Sequence, residues 1–133
     1  GPAGGRFGEL AGPTADRVHF IQTFVFTDIT SGKGGEVFSA LQAKYPEIKT
    51  TADVTPAVGI ANAYDAMHLT AMAIEKAGST KGKDIRDGFY KIDSYEGLIK
   101  SFSQPFSKDQ HDAIGPNDYV FTQFVGDQIS PVK

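Results

Sequence analysis

The stretch AVGIANAYDAMHLTAMAIEKA, residues 57–77, decides how this chain is read. Ile60, Tyr64, Met67, Ala71 and Ile74 recur at spacings of four and three, which sets them on one face of a helix. Pro56 suits the first turn of that helix, and Gly78 suits the residue just past its end. Fourteen of the 21 residues are apolar, many of them Ala, so more than one face is expected to pack closely. A helix this apolar needs a broad sheet to cover it.

Outward from the helix, the chain supplies little sheet. Upstream, residues 17–26 (RVHFIQTFVF) are rich in aromatic and β-branched types and predict a strand. Alternation fails at Phe24-Val25-Phe26, so burial on both faces is expected there. A polar turn over 27–33 leads to a helix over 34–45, with Val37, Phe38, Leu41 and Tyr45 at helical spacing and Pro46 as its stop. Residues 47–56 are polar and turn-rich, and 1–13 are loop-like apart from one helical turn around 6–10. Downstream, a shorter helix is expected over 82–91 and a short strand over 98–102. Residues 106–117 are irregular. Strands over 119–125 and 129–132 flank a Gly126-Asp127 turn, and Pro131 confines the last one to an edge. The expected order is β-α-α-α-β-loop-β-β, a mixed α/β class with at most four short strands. Such a shortage implies a chain that is part of something larger.

Composition narrows the function. The 133 residues are 40% hydrophobic and 22% charged, ordinary usage for a folded domain and too apolar for a disordered tail. A net charge of −3 argues against nucleic acid or an anionic membrane as partner, since those call for clustered basic residues. With no Cys there is no disulfide, Cys-based zinc site or thiol nucleophile. No apolar run exceeds four residues, as at 71–74, so no bilayer-spanning segment is expected. The start at Gly1-Pro2, without an initiator Met, is expected of a processed, cut or engineered chain.

The segments GGRFGELAGPTADRVHF (4–20), FVFTDI (24–29), ANAYDAMHLTAMAIEKAGS (61–79), IRDGFYKIDSYEGLIKSF (85–102), HDAIGPNDYVFTQF (111–124) and GDQISPV (126–132) follow one another in a familiar order and spacing. Together they resemble the C-terminal portion of a solute-binding protein of bacterial ABC importers, of the branched-chain amino-acid type. The resemblance implies a type I periplasmic-binding (Venus-flytrap) fold: two α/β lobes, mixed sheets with flanking helices, and a ligand held between lobes. It implies that 1–45 belong to the second lobe, 46–97 to the first, and 98–133 to the hinge return and second-lobe tail. On that resemblance a chain of this extent is expected to be incomplete. Its apolar helix faces would be covered by a missing N-terminal part, by a second copy in a domain-swapped homodimer, or by rearranged packing. The implied partners are a small-molecule solute and an ABC permease, and the implied location is periplasmic or otherwise extracytoplasmic.

Five residues are ligand-binding candidates. Asp16 stands where many amino-acid binders of this family carry a Glu that pairs with the ligand's ammonium. Arg17 stands where Gly is usual and would suit a carboxylate-bearing ligand. The alternative is an Asp capping a turn beside an exposed Arg. Phe26, Thr27 and Asp28, with Phe24, lie at the C-terminal end of the first strand, the edge where ligands collect in open α/β sheets. Core packing for the two Phe and an Asx turn for Asp28 are the alternatives. Ser31-Gly32-Lys33-Gly34-Gly35 lacks the Gly that a Walker loop needs at position 27 and reads as a turn or helix start. Asp65 and His68, three apart, read as a hydrogen-bonded pair on a helix surface, or as two ligands of a metal site short of a third. Asp109, His111 and Asp112 read as an exposed loop or a weak metal site, and His19 as half-buried. No nucleophile elbow is present.

The leading expectation is a binding module, with no cofactor and no catalysis, that captures an amino-acid-like or carboxylate solute for a permease. Its affinity alone is expected to be weak or absent. An α/β hydrolase using the Asp109–Asp112 loop, and a ligand-sensing regulatory domain on the same fold, are the alternatives.

Overall fold

The computed structural model describes residues 6–126 and 128–132. The loop expected over 1–5 and Asp127 of the expected turn lie outside them. The elements are α1 (Phe7–Ala11), β1 (Phe20–Gln22), α2 (Gly32–Lys44), α3 (Ala57–Ala77), α4 (Gly82–Phe89), β2 (Ser94–Glu96), β3 (Ser101–Ser103), β4 (Val120–Val125) and β5 (Gln128–Pro131). Three 3-10 turns join them, at Gly12–Arg17, Thr51–Asp53 and Pro116–Asp118. The mixed α/β class holds. No helix among the described residues is long and apolar enough to cross a membrane. The chain divides into two compact units: residues 1–60 with 119–133, and Ala61–Asp118.

In the first unit, β1, β4 and β5 form an antiparallel sheet in the order β1-β4-β5. Phe20 sits opposite Thr122, and Thr122 is fully buried with its hydroxyl donating to the Phe20 carbonyl at 2.8 Å. Pro131 ends up on the edge strand β5, as its missing N–H requires. The first strand is far shorter than the ten residues expected. Residues up to Arg17 turn in the 3-10 segment, and pairing with β4 stops at Gln22 opposite Val120. Phe24 and Phe26 are held by aromatic packing instead, edge-on to each other at 4.8 Å, with Phe26 packed on buried Phe38 of α2 at 5.8 Å. At the start of α2, a Cβ on Gly34 would lie 2.6 Å from the Asp28 carbonyl, so the loop can pass only over a glycine. The Ser-Gly-Lys-Gly-Gly run is a helix start.

In the second unit, α3 buries Ala61, Asp65, Leu69 and Ala73, a stripe at strict spacing of four. The stripe read from the sequence, through Tyr64, Met67 and Ala71, is turned away from this core, and Met67 is 72% exposed. Small residues win the core side because α4 comes very close: a Cβ on Gly88 would collide with the Ala73 carbonyl. Leu69, Ala73 and Ile92 form the core, with Met72, Ile85 and Phe89 packed against it. Only one strand was expected here, but β2 and β3 form a hairpin.

That hairpin is tied to α3 through one carboxylate. Asp65, 3% exposed, accepts hydrogen bonds from the Tyr95 hydroxyl at 3.0 Å and from the backbone N–H groups of Leu98 at 2.6 Å and Ile99 at 2.9 Å. The surface pairing of Asp65 with His68 expected from their spacing is therefore corrected: Asp65 points inward to satisfy turn amides, while exposed His68 stacks on Tyr64 and Tyr95. Gly97 lets the turn approach. A Cβ there would lie 2.8 Å from the Asp65 carboxylate and 2.7 Å from the Phe102 ring. Burial and the bond to Asp65 push the Tyr95 phenol well above its usual range, so it stays a donor at any ordinary pH. Asp65→Ala strands one buried and one partly buried N–H group and is expected to cost about 2–5 kcal/mol. Gly97→Ala is expected to cost about 1–3 kcal/mol through overpacking. Urea denaturation measures both, and amide exchange at Leu98 and Ile99 should quicken in each variant.

Candidate functional site

A cleft of about 230 Å3 opens within the first unit. One wall is Phe24, Val25 and Phe26, which follow β1, and Phe124 of β4 faces the same space. Phe124 is fixed between Phe7 and Phe20, each 5.6 Å away centroid to centroid, and it packs closely on Gly8 of α1. The opposite rim is the segment 51–57, which contributes Thr51, Val54 and Thr55. This rim is set by local hydrogen bonds. The Asp53 carboxylate accepts from the backbone N–H groups of Thr50 (2.8 Å) and Lys49 (2.9 Å), which holds its pKa below the usual carboxylate range. The Gln42 amide of α2 donates to the carbonyls of Ile48 and Lys49.

Three polar side chains complete the cleft: Arg6, Glu9 and Gln22. Arg6, the residue just before α1, donates through Nε (2.7 Å) and Nη2 (2.5 Å) to the two oxygens of Glu9 on that helix, a bidentate pair. The pairing draws Glu9 below its usual pKa and raises Arg6 further. Gln22, at the end of β1, is 7% exposed. A mostly apolar concavity with a few convergent polar groups is the usual build of a small-molecule site.

Of the five candidates read from the sequence, Phe26 lines this cleft, in company with Phe24. Asp16 and Arg17 end the 3-10 turn Gly12–Arg17, both exposed, and neither is among the lining residues. Thr27 is exposed and also outside the lining. Asp28 serves its own turn: its carboxylate accepts from the N–H and hydroxyl of Thr30 and from both donors of Ser31. Those bonds, the Ser31 hydroxyl first, hold its pKa at about 2. Sequence reasoning missed Arg6, Glu9, Gln22 and the 51–55 rim. One signal was present, a lone amide inside the apolar run FIQTFVF.

The other candidates are not among the residues lining this cleft. His111 stacks on Tyr90 and meets its hydroxyl at 3.0 Å. Among the described residues no group of three or more His, Asp or Glu side chains could hold a metal, so Asp109, His111 and Asp112 do not form one. His19 is exposed and bonds Gln123 at 3.1 Å, rather than half-buried as expected, because β1 begins after it.

The Asp28 geometry gives a pH test. Its folded pKa of about 2 lies below the ordinary carboxylate value, so its support of α2 is present above about pH 4 and lost as pH falls through 2. Asp28→Ala should lower the urea midpoint at pH 7, and the gap to the unaltered protein should close between about pH 4 and pH 2.

No protein-family model matches the chain, and no curated protein sequence matches it. Among solved structures it is similar to a periplasmic binding protein type 1 from Bordetella pertussis Tohama I, with a TM-score of 0.74 and 20% sequence identity. The match covers 97% of this chain and 37% of that one, so the chain spans little more than a third of the length of the protein it resembles. At this identity the likeness establishes the fold: the chain has the fold of a segment of a type 1 periplasmic binding protein.

Proposed function

We propose that this chain is part of a solute-binding protein that works outside the cytoplasmic membrane, takes up a small molecule without altering its covalent bonds, and hands it to an ABC-type permease. The observation that carries this reading is the cleft of the first unit, which aromatic side chains line together with Gln22. The likeness in fold to a periplasmic binding protein supports it. The amino-acid-like or carboxylate solute implied by the resemblance drew on Asp16 and Arg17. Both stand outside the lining, so the cleft's own residues set the class of solute.

The division into lobes belongs to the same proposal. Residues 1–45 and 98–133 would belong to one lobe and 46–97 to the other, and the two compact units alternate along the chain in a similar way. Exposed Met67 on α3 would then meet polypeptide from outside this chain or from a second copy.

The cleft is small, so weak binding is expected. About ten non-hydrogen atoms at about 0.4 kcal/mol each give a Kd near 1 mM. An NMR titration with a panel of amino acids, aromatic acids and carboxamides should shift resonances of Gln22, Phe24 and Thr51 at millimolar concentrations. Gln22→Leu should weaken whichever solute binds. A panel in which nothing perturbs these residues overturns the proposal.

A further inference from the structure

The cleft of the first unit is lined by a polar side chain for which the described residues supply no partner. Gln22 lines the cleft at 7% exposure, and its side-chain amide makes no hydrogen bond among the described residues. The amide atoms are not sealed off, and Gln22 is among the residues lining the cleft. A primary amide carries two N–H donors and a carbonyl acceptor. A solute that matches both is favoured over one that leaves either unmet in a mostly buried place.

Charge selects in the same direction. Among the described residues, Arg6 and Glu9 are the only ionisable ones lining the cleft, and they sum to zero. Each already holds the other through two hydrogen bonds. An incoming carboxylate would have to share Arg6 with Glu9 and face the Glu9 charge. An uncharged solute leaves the pair intact. The aromatic wall of Phe24, Phe26 and Phe124 suits a flat body, which can meet the rings offset-stacked or edge-on. The volume, about 230 Å3, corresponds to roughly eight water-sized shares.

We infer that this cleft selects an uncharged, flat solute presenting an amide-type donor–acceptor edge to Gln22, such as a carboxamide, lactam or imide, over a carboxylate of the same shape. The inference rests on the reading of the cleft as a solute site.

Benzamide and benzoate share a shape and differ in charge and in the donor, so they test it as a pair. The 133-residue protein is titrated with each at pH 7 and followed by two-dimensional NMR. Benzamide is expected to bind at least about tenfold more tightly than benzoate. It should shift the side-chain NH2 resonances of Gln22, a readout that needs no variant. Gln22→Met, close in size and without the amide, should erase the preference. Equal or tighter binding of benzoate overturns the inference and leaves the cleft a solute site. So does a preference that survives in Gln22→Met or leaves the Gln22 NH2 unmoved. If neither probe perturbs the cleft at about 10 mM, well above the Kd expected of so small a ligand, the reading of the cleft falls and the inference with it.

Discussion

The second unit depends on one carboxylate. Asp65 is nearly fully buried on α3, and a buried charge persists only where donors surround it. It finds them in the Tyr95 hydroxyl and the consecutive N–H groups of Leu98 and Ile99. Two strands of three residues each bury too little to stand alone. The carboxylate fixes their turn on the helix, and Ile92 and Tyr95 then pack against Leu69 and Ala73. Gly97 and Gly88 are the companions of this arrangement, since each marks a place where backbone comes closer than a side chain allows.

In the first unit the organising element is aromatic. Phe7, Phe20 and Phe124 pack around the sheet, and Phe24, Phe26 and Phe38 carry the chain from β1 to α2. The cleft lies where these two groups leave a gap beside the 51–57 segment. Its wall is therefore made by the same rings that hold the unit together. Its polar contacts come from an ion pair on a short helix and from an amide at a strand end.

Much of the fold was legible in the sequence where the signals are local. Pro56, Gly78 and the 3.6-residue period located α3, and Gly126 with Pro131 located the β4–β5 hairpin and its edge. What escaped was set by distant contacts. The rotation of α3 could not be read from apolarity, because Ala61 and Ala73 take the core face by size and Asp65 takes it by finding donors more than 30 residues away. Residues 24–26 look like strand by composition, yet no neighbouring strand pairs them among the described residues. The site was legible only at Phe26 and Phe24. Arg6 and the 51–55 rim reach the cleft through tertiary folding, and no local pattern announces that.

The two margins of the β1-β4-β5 sheet differ in a way that bears on how it can grow. On β5 the N–H of Val132 turns back to the Phe121 carbonyl, so the adjoining donor would face outward, and that position is Pro131. Proline removes one outward donor from this border. The opposite border, Phe20-Ile21-Gln22, has neither proline nor lysine to blunt it, and the Ile21 and Phe121 side chains beside it stand 56% and 66% exposed. Proline thus blunts one border of the sheet and leaves the other unguarded, so an additional strand would meet less resistance on the β1 side.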